Sequence, residues 1–129
     1  MKVNLGLERL GTVDIETAFD AINAAFADGQ KLANLNGHEF KAYSQRYELF
    51  MEKGTVCAHC GLKAKYFAIE RHTANGPRPH LNLYGIDDMD DEVLFTKDHI
   101  VPKSQGGANE VENYQTMCMP CNTLKADGT

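Results

Sequence analysis

The sequence has no apolar run long enough to cross a membrane. A membrane-spanning helix needs roughly 18 consecutive apolar residues, and no apolar stretch of this 129-residue chain approaches that length. The first residues, MKVNLGLERLG, carry Glu8 and Arg9 where a secretory signal peptide has an unbroken apolar core. These absences predict a cytoplasmic protein without a membrane partner.

The sequence also lacks an excess of positive charge. It has 13 Lys and Arg against 18 Asp and Glu, which gives a formal net charge of −5. This balance argues against proteins that coat nucleic acid by bulk electrostatic attraction. It does not exclude a nuclease, because bound metal ions offset part of the negative charge at such a site.

No cysteine occurs outside two Cys-x-x-Cys pairs, which are Cys57/Cys60 and Cys118/Cys121. In a cytoplasmic chain, two such turns predict a closed tetrahedral site in which four thiolates hold a structural zinc ion. Two disulfides or a redox pair are the alternatives. A redox motif typically opens a helix after a buried strand, and it leaves the second pair unexplained.

Residues 13–28 have the apolar spacing of an amphipathic helix. Ile15, Phe19, Ile22 and Phe26 recur on one helical face, and Thr12 or Asp14 can cap the start. We expect this face to pack in the core, with a dimerisation or partner face as the alternative.

A second aromatic stripe follows after residues 29–37, which we expect to form a connection. Phe40, Tyr43, Tyr47 and Phe50 predict a helix over residues 38–53. We therefore predict an N-terminal helical region, residues 1–53, that packs on the rest of the chain or extends it.

The segment between the two cysteine pairs has β character. Residues 65–71 and 80–84 predict two strands of a hairpin, and the Gly and Pro residues between them predict a long loop. The acidic run at residues 87–92 lacks the ligand spacing of a calcium loop, so that we expect a solvated turn.

A further set of polar residues lies in the last third of the chain. Asp98 and His99 end a β-rich run, Asn113 follows a Gly-Gly break, and Asn122 comes directly after the last cysteine. Each residue alone is most simply a cap, a turn residue or a hydrogen-bonded histidine. Together, and in this order, they favour a catalytic site.

At these positions the sequence resembles the HNH endonuclease family. The matching residues are Asp98-His99-Ile100-Val101-Pro102, Gly106-Gly107, Asn113 and Cys118-x-x-Cys121-Asn122-x-x-Lys125. The resemblance implies an α+β fold. It implies a ββα-metal core that carries zinc knuckles with four cysteine ligands, in a nuclease domain spanning residues 54–129. The extra β-hairpin and the N-terminal helical pair, which the residue patterns above predict, would be added to this core.

The resemblance also implies DNA phosphodiester hydrolysis at a single metal ion. His99 would act as general base, Asp98 and Asn122 would hold the ion, and Asn113 would brace the loop and orient His99. The family often has histidine where this chain has Asn122, and an amide oxygen suits Mg²⁺ or Mn²⁺ better than softer ions. The residues expected to contact DNA are Lys125, Lys103, Arg71 and Lys65.

Several hypotheses stay open on the sequence alone. The first is a DNA endonuclease or nickase, and the second is an inactive zinc-stabilised binding module of the same fold, which the acidic net charge favours. A third is an RNA-directed nuclease. One active site cuts one strand, so that both a monomer and a homodimer fit. By analogy with small proteins of this family, we expect a bacterial or phage-infected cytoplasm.

Overall fold

A computed structural model describes residues 6–72 and 78–126 of the chain. Within these ranges it contains three α-helices and seven strands with antiparallel pairing. None of the helices in these ranges has the length and apolar character needed to span a membrane. The chain divides into two compact units. The first unit is Met1–Tyr43 with Lys65–Tyr84, and the second unit is Ser44–Ala64 with Gly85–Thr129.

The first unit joins a helix to two sets of strands. Its elements are β1 (Leu7–Asp14), α1 (Ile15–Ala27), β2 (Leu32–Leu35), β3 (His38–Lys41) and most of β4 (Ala64–His72) and β5 (His80–Ile86). Strand β1 pairs antiparallel with β4, which lies between β1 and β5, and β2 pairs antiparallel with β3. The predicted strands 65–71 and 80–84 are confirmed. Most of the loop predicted between them, residues 73–77, lies outside the described residues.

Helix α1 confirms the amphipathic pattern over residues 13–28. Asp14 caps its start, since the carboxylate accepts hydrogen bonds from the Thr17 backbone N–H and hydroxyl group. These two hydrogen bonds lower the pKa of Asp14. Ile22 is fully buried, and the ring of Phe19 packs edge-on against the ring of Phe67 with 5.7 Å between the ring centroids. Phe26, the last residue of the stripe, is instead 44% exposed.

The prediction of a helix over residues 38–53 is wrong for the first half of that range. Strands β2 and β3 form a hairpin whose two-residue loop, Asn36-Gly37, has φ angles of 53° and 83°. Asn-Gly is the preferred sequence for this turn, because both residues tolerate positive φ. The turn therefore outweighs the aromatic spacing, and residues 29–37, predicted as a connection, contain β2. The helix α2 (Gln45–Lys53) begins only after Ser44, which caps it.

Residues 1–53 are accordingly not a helical pair alone, because β1 also lies in this region. Two cross-strand ion pairs join β1 to β4. Arg9 Nε lies 2.8 Å from Glu70 Oε2, and Arg71 Nε lies 2.9 Å from Glu8 Oε1. These pairs depend on the strand register, and the sequence of residues 7–14 has too weak an alternation to predict it.

Glu70 is 3% exposed and is the centre of a buried polar cluster in the first unit. Its carboxylate accepts hydrogen bonds from Arg9, from Asn82 Nδ2 at 2.8 Å and from the Tyr84 hydroxyl at 2.6 Å. Burial, followed by the interaction with Glu70, raises the pKa of Tyr84. Because its polar atoms are satisfied, this cluster fixes the packing of β4 and β5.

The second unit contains α2, β6 (Glu92–His99), β7 (Tyr114–Cys118) and α3 (Met119–Ala126). Strands β6 and β7 are antiparallel, with partners running from Phe95 opposite Cys118 to His99 opposite Tyr114. The acidic segment before β6 forms the expected turn, in which Asp87 Oδ1 accepts two backbone N–H bonds. Helix α3 follows β7 without a loop, and this junction positions the candidate site.

Candidate functional site

The four cysteines of the second unit converge on one point. Their Sγ atoms all lie within 4.8 Å of one another, and Cys60 Sγ is 3.8 Å from Cys118 Sγ. A zinc ion with four Zn–S bonds of about 2.3 Å separates its sulfur atoms by about 3.8 Å. The first turn is tightened by Gly61, which has a φ of 81° and donates its N–H to Cys57 O. The cluster therefore fits a tetrahedral metal ion.

Backbone hydrogen bonds join the two cysteine turns. Ala58 N donates to Thr116 O at 2.8 Å, and Cys118 N points at Cys57 Sγ at 3.4 Å. Cys60 N points at the same sulfur atom from within the first turn at 3.5 Å. The pairs are far apart in sequence, and these contacts show how the fold closes the distance between them.

The thiols of the cluster differ in how easily they ionise. Burial raises the pKa of Cys57, but backbone N–H groups of Cys60, Cys118 and His59 outweigh it and lower the pKa to about 6. Burial raises the pKa of Cys118 and of Cys121. Because four adjacent thiolates repel one another, a cation is needed to hold all four ionised. The donor set thus has the chemistry of a metal site.

Asp98, near the end of β6, is only 7% exposed although it is charged. Its Oδ2 atom accepts hydrogen bonds from Gln115 Nε2 at 2.9 Å and from Lys125 Nζ at 2.6 Å. Lys125 also donates to His99 O at 2.7 Å. Lys125, which the sequence suggested as a phosphate contact, is thus an internal partner of Asp98 that ties α3 to the end of β6.

Asn122 lies on α3 and faces β6. Its Nδ2 atom lies 2.8 Å from Thr96 Oγ1, and the Thr96 hydroxyl donates its single proton to Met117 O at 2.8 Å. The hydroxyl must therefore accept from Asn122, which fixes the amide orientation and directs Oδ1 away from Thr96. Thr96 and Asp98 are two residues apart on one strand and lie on the same face. Asp98 and Asn122 therefore lie on the same side of β6.

His99 follows Asp98 and projects toward the other face of the strand. Its ring packs edge-on against the ring of Tyr114, with 4.9 Å between the ring centroids. Its Nε2 atom lies 2.8 Å from Asn109 Oδ1. With Asn109 Oδ1 accepting, Nε2 is the donor, so that in the neutral imidazole Nδ1 is the nitrogen that keeps its lone pair. Sequence reasoning missed Asn109, and no local signal marks it, because the contact spans ten residues of an irregular loop.

Asn113 cross-links the loop that follows His99. Its Oδ1 accepts from Val101 N at 2.9 Å, while Nδ2 donates to Val101 O at 3.1 Å and to Ala108 O at 2.9 Å. Its own backbone O accepts from Ile100 N at 2.7 Å. These bonds give the loop a defined shape next to His99.

Gly107 is required by the same loop. A Cβ atom at this position would lie 1.8 Å from Val101 O and 2.9 Å from Asn113 Nδ2. Both distances are shorter than a van der Waals contact, so that no residue with a side chain fits here. The preceding residue, Gly106, has a φ of 86°, a conformation that favours glycine. The Gly-Gly break of the sequence thus has a steric cause.

The remaining predicted DNA-contacting residues have different surroundings. Lys103 is exposed in a short 3-10 turn of the second unit, and Lys65 is exposed on β4 of the first unit. Arg71, also on β4, is engaged by Glu8. Contact with DNA therefore stays a prediction for these residues and for Lys125.

Comparison with protein families identifies the part of the chain that holds most of these residues. Residues 86–128 match the model of a family described as HNH endonuclease. This segment, 43 of the 129 residues, is similar to an HNH domain. No curated protein and no solved structure matches the chain. The HNH match includes the second cysteine pair but not Cys57 and Cys60, although all four thiols lie together.

Proposed function

We propose that this HNH domain is a metal-dependent endonuclease or nickase that hydrolyses phosphodiester bonds of DNA. The observation that carries the proposal is the arrangement at the end of β6. There Asp98 and Asn122 share one side of the strand, and His99, the last residue of β6, presents a ring nitrogen from the opposite face, next to the loop that Asn113 shapes. In this proposal β6, β7 and α3 form the ββα-metal core, and the nuclease domain spans residues 54–129.

The thiol cluster would hold a structural zinc ion. The support is the 3.8 Å separation of Cys60 Sγ and Cys118 Sγ and the soft, ionisable donor set. A site with four protein ligands has no open coordination position, so that it serves folding rather than chemistry. Since Cys118 ends β7 and Cys121 lies in α3, the cluster would fix the helix that presents Asn122.

Asp98 and Asn122 would hold the catalytic ion. Their donors are a carboxylate oxygen and an amide oxygen, which suit Mg²⁺ or Mn²⁺. The support for this role is the burial of the Asp98 carboxylate, which is 7% exposed, and its position on the same side of β6 as Asn122. When bound, the ion supplies stabilisation of the negative charge that develops on the phosphate and the leaving oxygen.

His99 would remove a proton from the attacking water at Nδ1. Its Nε2–H is held by Asn109 and its ring by the edge of Tyr114, so that the base needs little reordering during the reaction. Asn113 would act as a positioning residue, because it shapes the adjoining loop without reaching the reacting atoms. The products would carry 5′-phosphate and 3′-hydroxyl ends.

One observation favours a second candidate function, an inactive zinc-stabilised binding module. The Lys125 ammonium group forms an ion pair with Asp98, at the position proposed for the metal ion. If a metal ion never displaces this ammonium group, the protein would bind partners without cleaving them. The two candidates differ in a single property, namely whether a divalent ion starts phosphodiester cleavage.

We test the proposed function with purified zinc-loaded protein on supercoiled plasmid, single-stranded DNA and structured RNA. Each substrate is incubated with Mg²⁺, with Mn²⁺, or with a chelator added just before the assay. We expect nicked or linear plasmid with either ion and none with the chelator. Cleavage of RNA in preference to both DNA substrates would redirect the proposal to RNA. No cleavage under any condition would favour the binding module.

A further inference from the structure

The first unit carries an open cavity of about 660 Å³ that lies outside the HNH match. Its lining includes two aromatic residues, Phe26 and Tyr43, and three cations, Lys31, Lys41 and Arg78, and it includes no carboxylate. A volume of this size is in the range of small-ligand pockets. The chemistry proposed for Asp98, His99 and Asn122 makes no use of this cavity.

The two aromatic rings are unusually accessible. Phe26 ends the apolar face of α1 but is 44% exposed, and Tyr43, just beyond β3, is 56% exposed. Large aromatic side chains contribute most to stability when they are buried, and two that line one cavity mark a surface for contact with a ligand. The hydrogen bond from Ala42 N to Lys31 O, at 3.0 Å, holds the segments on either side of the hairpin together.

The charge of the cavity is opposite to that of the chain. Lys31, Lys41 and Arg78 are all exposed, and none of them takes part in an ion pair within residues 6–72 and 78–126. The chain as a whole has a net charge of −5, so that three cations around one cavity are a local inversion. A ligand that complements this lining has negative charge together with flat apolar faces.

We propose that this cavity binds a single-stranded segment of nucleic acid. Its bases would stack on Tyr43 and Phe26, and its phosphates would lie against Lys31, Lys41 and Arg78. An acidic peptide would satisfy the cations but offers no flat rings, and a duplex keeps its base faces stacked inside. This inference rests on the proposed action on nucleic acid and assigns part of substrate recognition to the first unit.

The test measures binding without cleavage. Full-length zinc-loaded His99→Ala protein, without added divalent ions, is titrated into a fluorescein-labelled oligothymidylate of about 12 nucleotides, within the usual site size. Tyr43→Ala removes the ring, and its matched control, Tyr43→Phe, keeps the ring and removes only the hydroxyl group. Lys41→Gln removes one cation of the cavity, and Lys63→Gln removes an exposed cation outside it.

We expect Tyr43→Ala to weaken binding by about 5- to 100-fold while Tyr43→Phe binds like the parent. Lys41→Gln should weaken binding and lower the salt-dependence slope by about 0.7, as expected for one lost phosphate contact, and Lys63→Gln should not. Unlabelled duplex and a glutamate peptide should compete poorly. Equal affinity of the two Tyr43 variants, or equal competition by duplex or peptide, would overturn the proposal.

The result is separable from the proposed function. If the wild-type protein cleaves DNA but the Tyr43 and Lys41 variants bind like their parent, the cavity assignment fails and the nuclease stands. If the Tyr43→Ala and Lys41→Gln variants lose binding although the wild-type protein cleaves no substrate, the cavity assignment stands and the proposed nuclease activity fails.

Discussion

Cys57→Ser protein is expected to lose its zinc and the folded structure of the second unit. Cys57 is 2% exposed, and its sulfur atom faces the backbone N–H groups of Cys60 and Cys118. A serine hydroxyl does not ionise near neutral pH and is a poor zinc ligand. Structural zinc typically contributes about 10–16 kcal/mol of apparent binding free energy. That is comparable to the whole stability of most domains, about 5–15 kcal/mol.

The measurement combines zinc content per chain with hydrogen exchange of the second unit. Wild-type protein should contain one zinc and protect β7 and α3, whereas Cys57→Ser should contain none and exchange rapidly there. Ala58→Ser is the matched control, because it places a hydroxyl group in the same turn at an exposed position and keeps all four thiols. Native protection of β7 and α3 after complete zinc removal would show that the cluster is dispensable for folding.

Asp98→Asn protein is expected to lose Mn²⁺ binding and to cleave DNA at least on the order of 100-fold more slowly. The substitution keeps the shape of the side chain but removes its charge. In the wild-type protein Gln115 and Lys125 donate hydrogen bonds to the Asp98 carboxylate, and in the variant they would face an amide group instead. Lys125 would lose its ion-pair partner, so that both the ion site and the tie between α3 and β6 weaken.

Electron paramagnetic resonance of free Mn²⁺ measures the binding, and initial rates of plasmid nicking measure the activity. Asp88→Asn is the control, because Asp88 is an exposed carboxylate in the turn before β6 and its replacement makes the same change in net charge. Zinc content reports whether each variant is still folded. An Asp98→Asn protein with full zinc, full Mn²⁺ binding and wild-type rates would remove Asp98 from the ion site.

The cluster of four cysteines was the most predictable part of the molecule. Each Cys-x-x-Cys turn is a local feature, and Gly61 marks the first of them in the sequence, so that spacing alone defines both halves of the site. What sequence could not supply is the pairing of Ala58 with Thr116, which joins the halves. Contacts of this kind depend on strand register, which weakly alternating sequences do not specify.

The N-terminal half was predicted less well for a different reason. The aromatic residues Phe40 and Tyr43 have helical spacing, but Asn36-Gly37 is a strong hairpin signal, and the turn determines the structure there. The aromatic spacing therefore predicted a helix where the Asn-Gly turn residues correctly indicate a hairpin. The exposure of Tyr43 marks the same error, because in a helix with that stripe it would be expected to face the core.

The candidate site was predictable in its residues but not in its contacts. The positions of Asp98, His99 and Asn122 follow from the order and spacing of the motif, and their catalytic roles stay predictions. The ion pair of Asp98 with Lys125 and the bond of His99 to Asn109 are non-local and leave no sequence signal. They explain how the site is held, and they supply the variants that test it.

The most direct test compares wild-type and His99→Ala protein, each with one zinc per chain, on supercoiled plasmid in Mg²⁺ or Mn²⁺. Removing a positioned general base typically costs about 10²- to 10⁴-fold in rate, whereas His38→Ala, a histidine of the first unit, should have no effect. We predict nicked or linear plasmid with wild-type and His38→Ala protein, and intact plasmid with His99→Ala. Equal cleavage by all three proteins, or no cleavage by any, would contradict the assignment of this site as a nuclease.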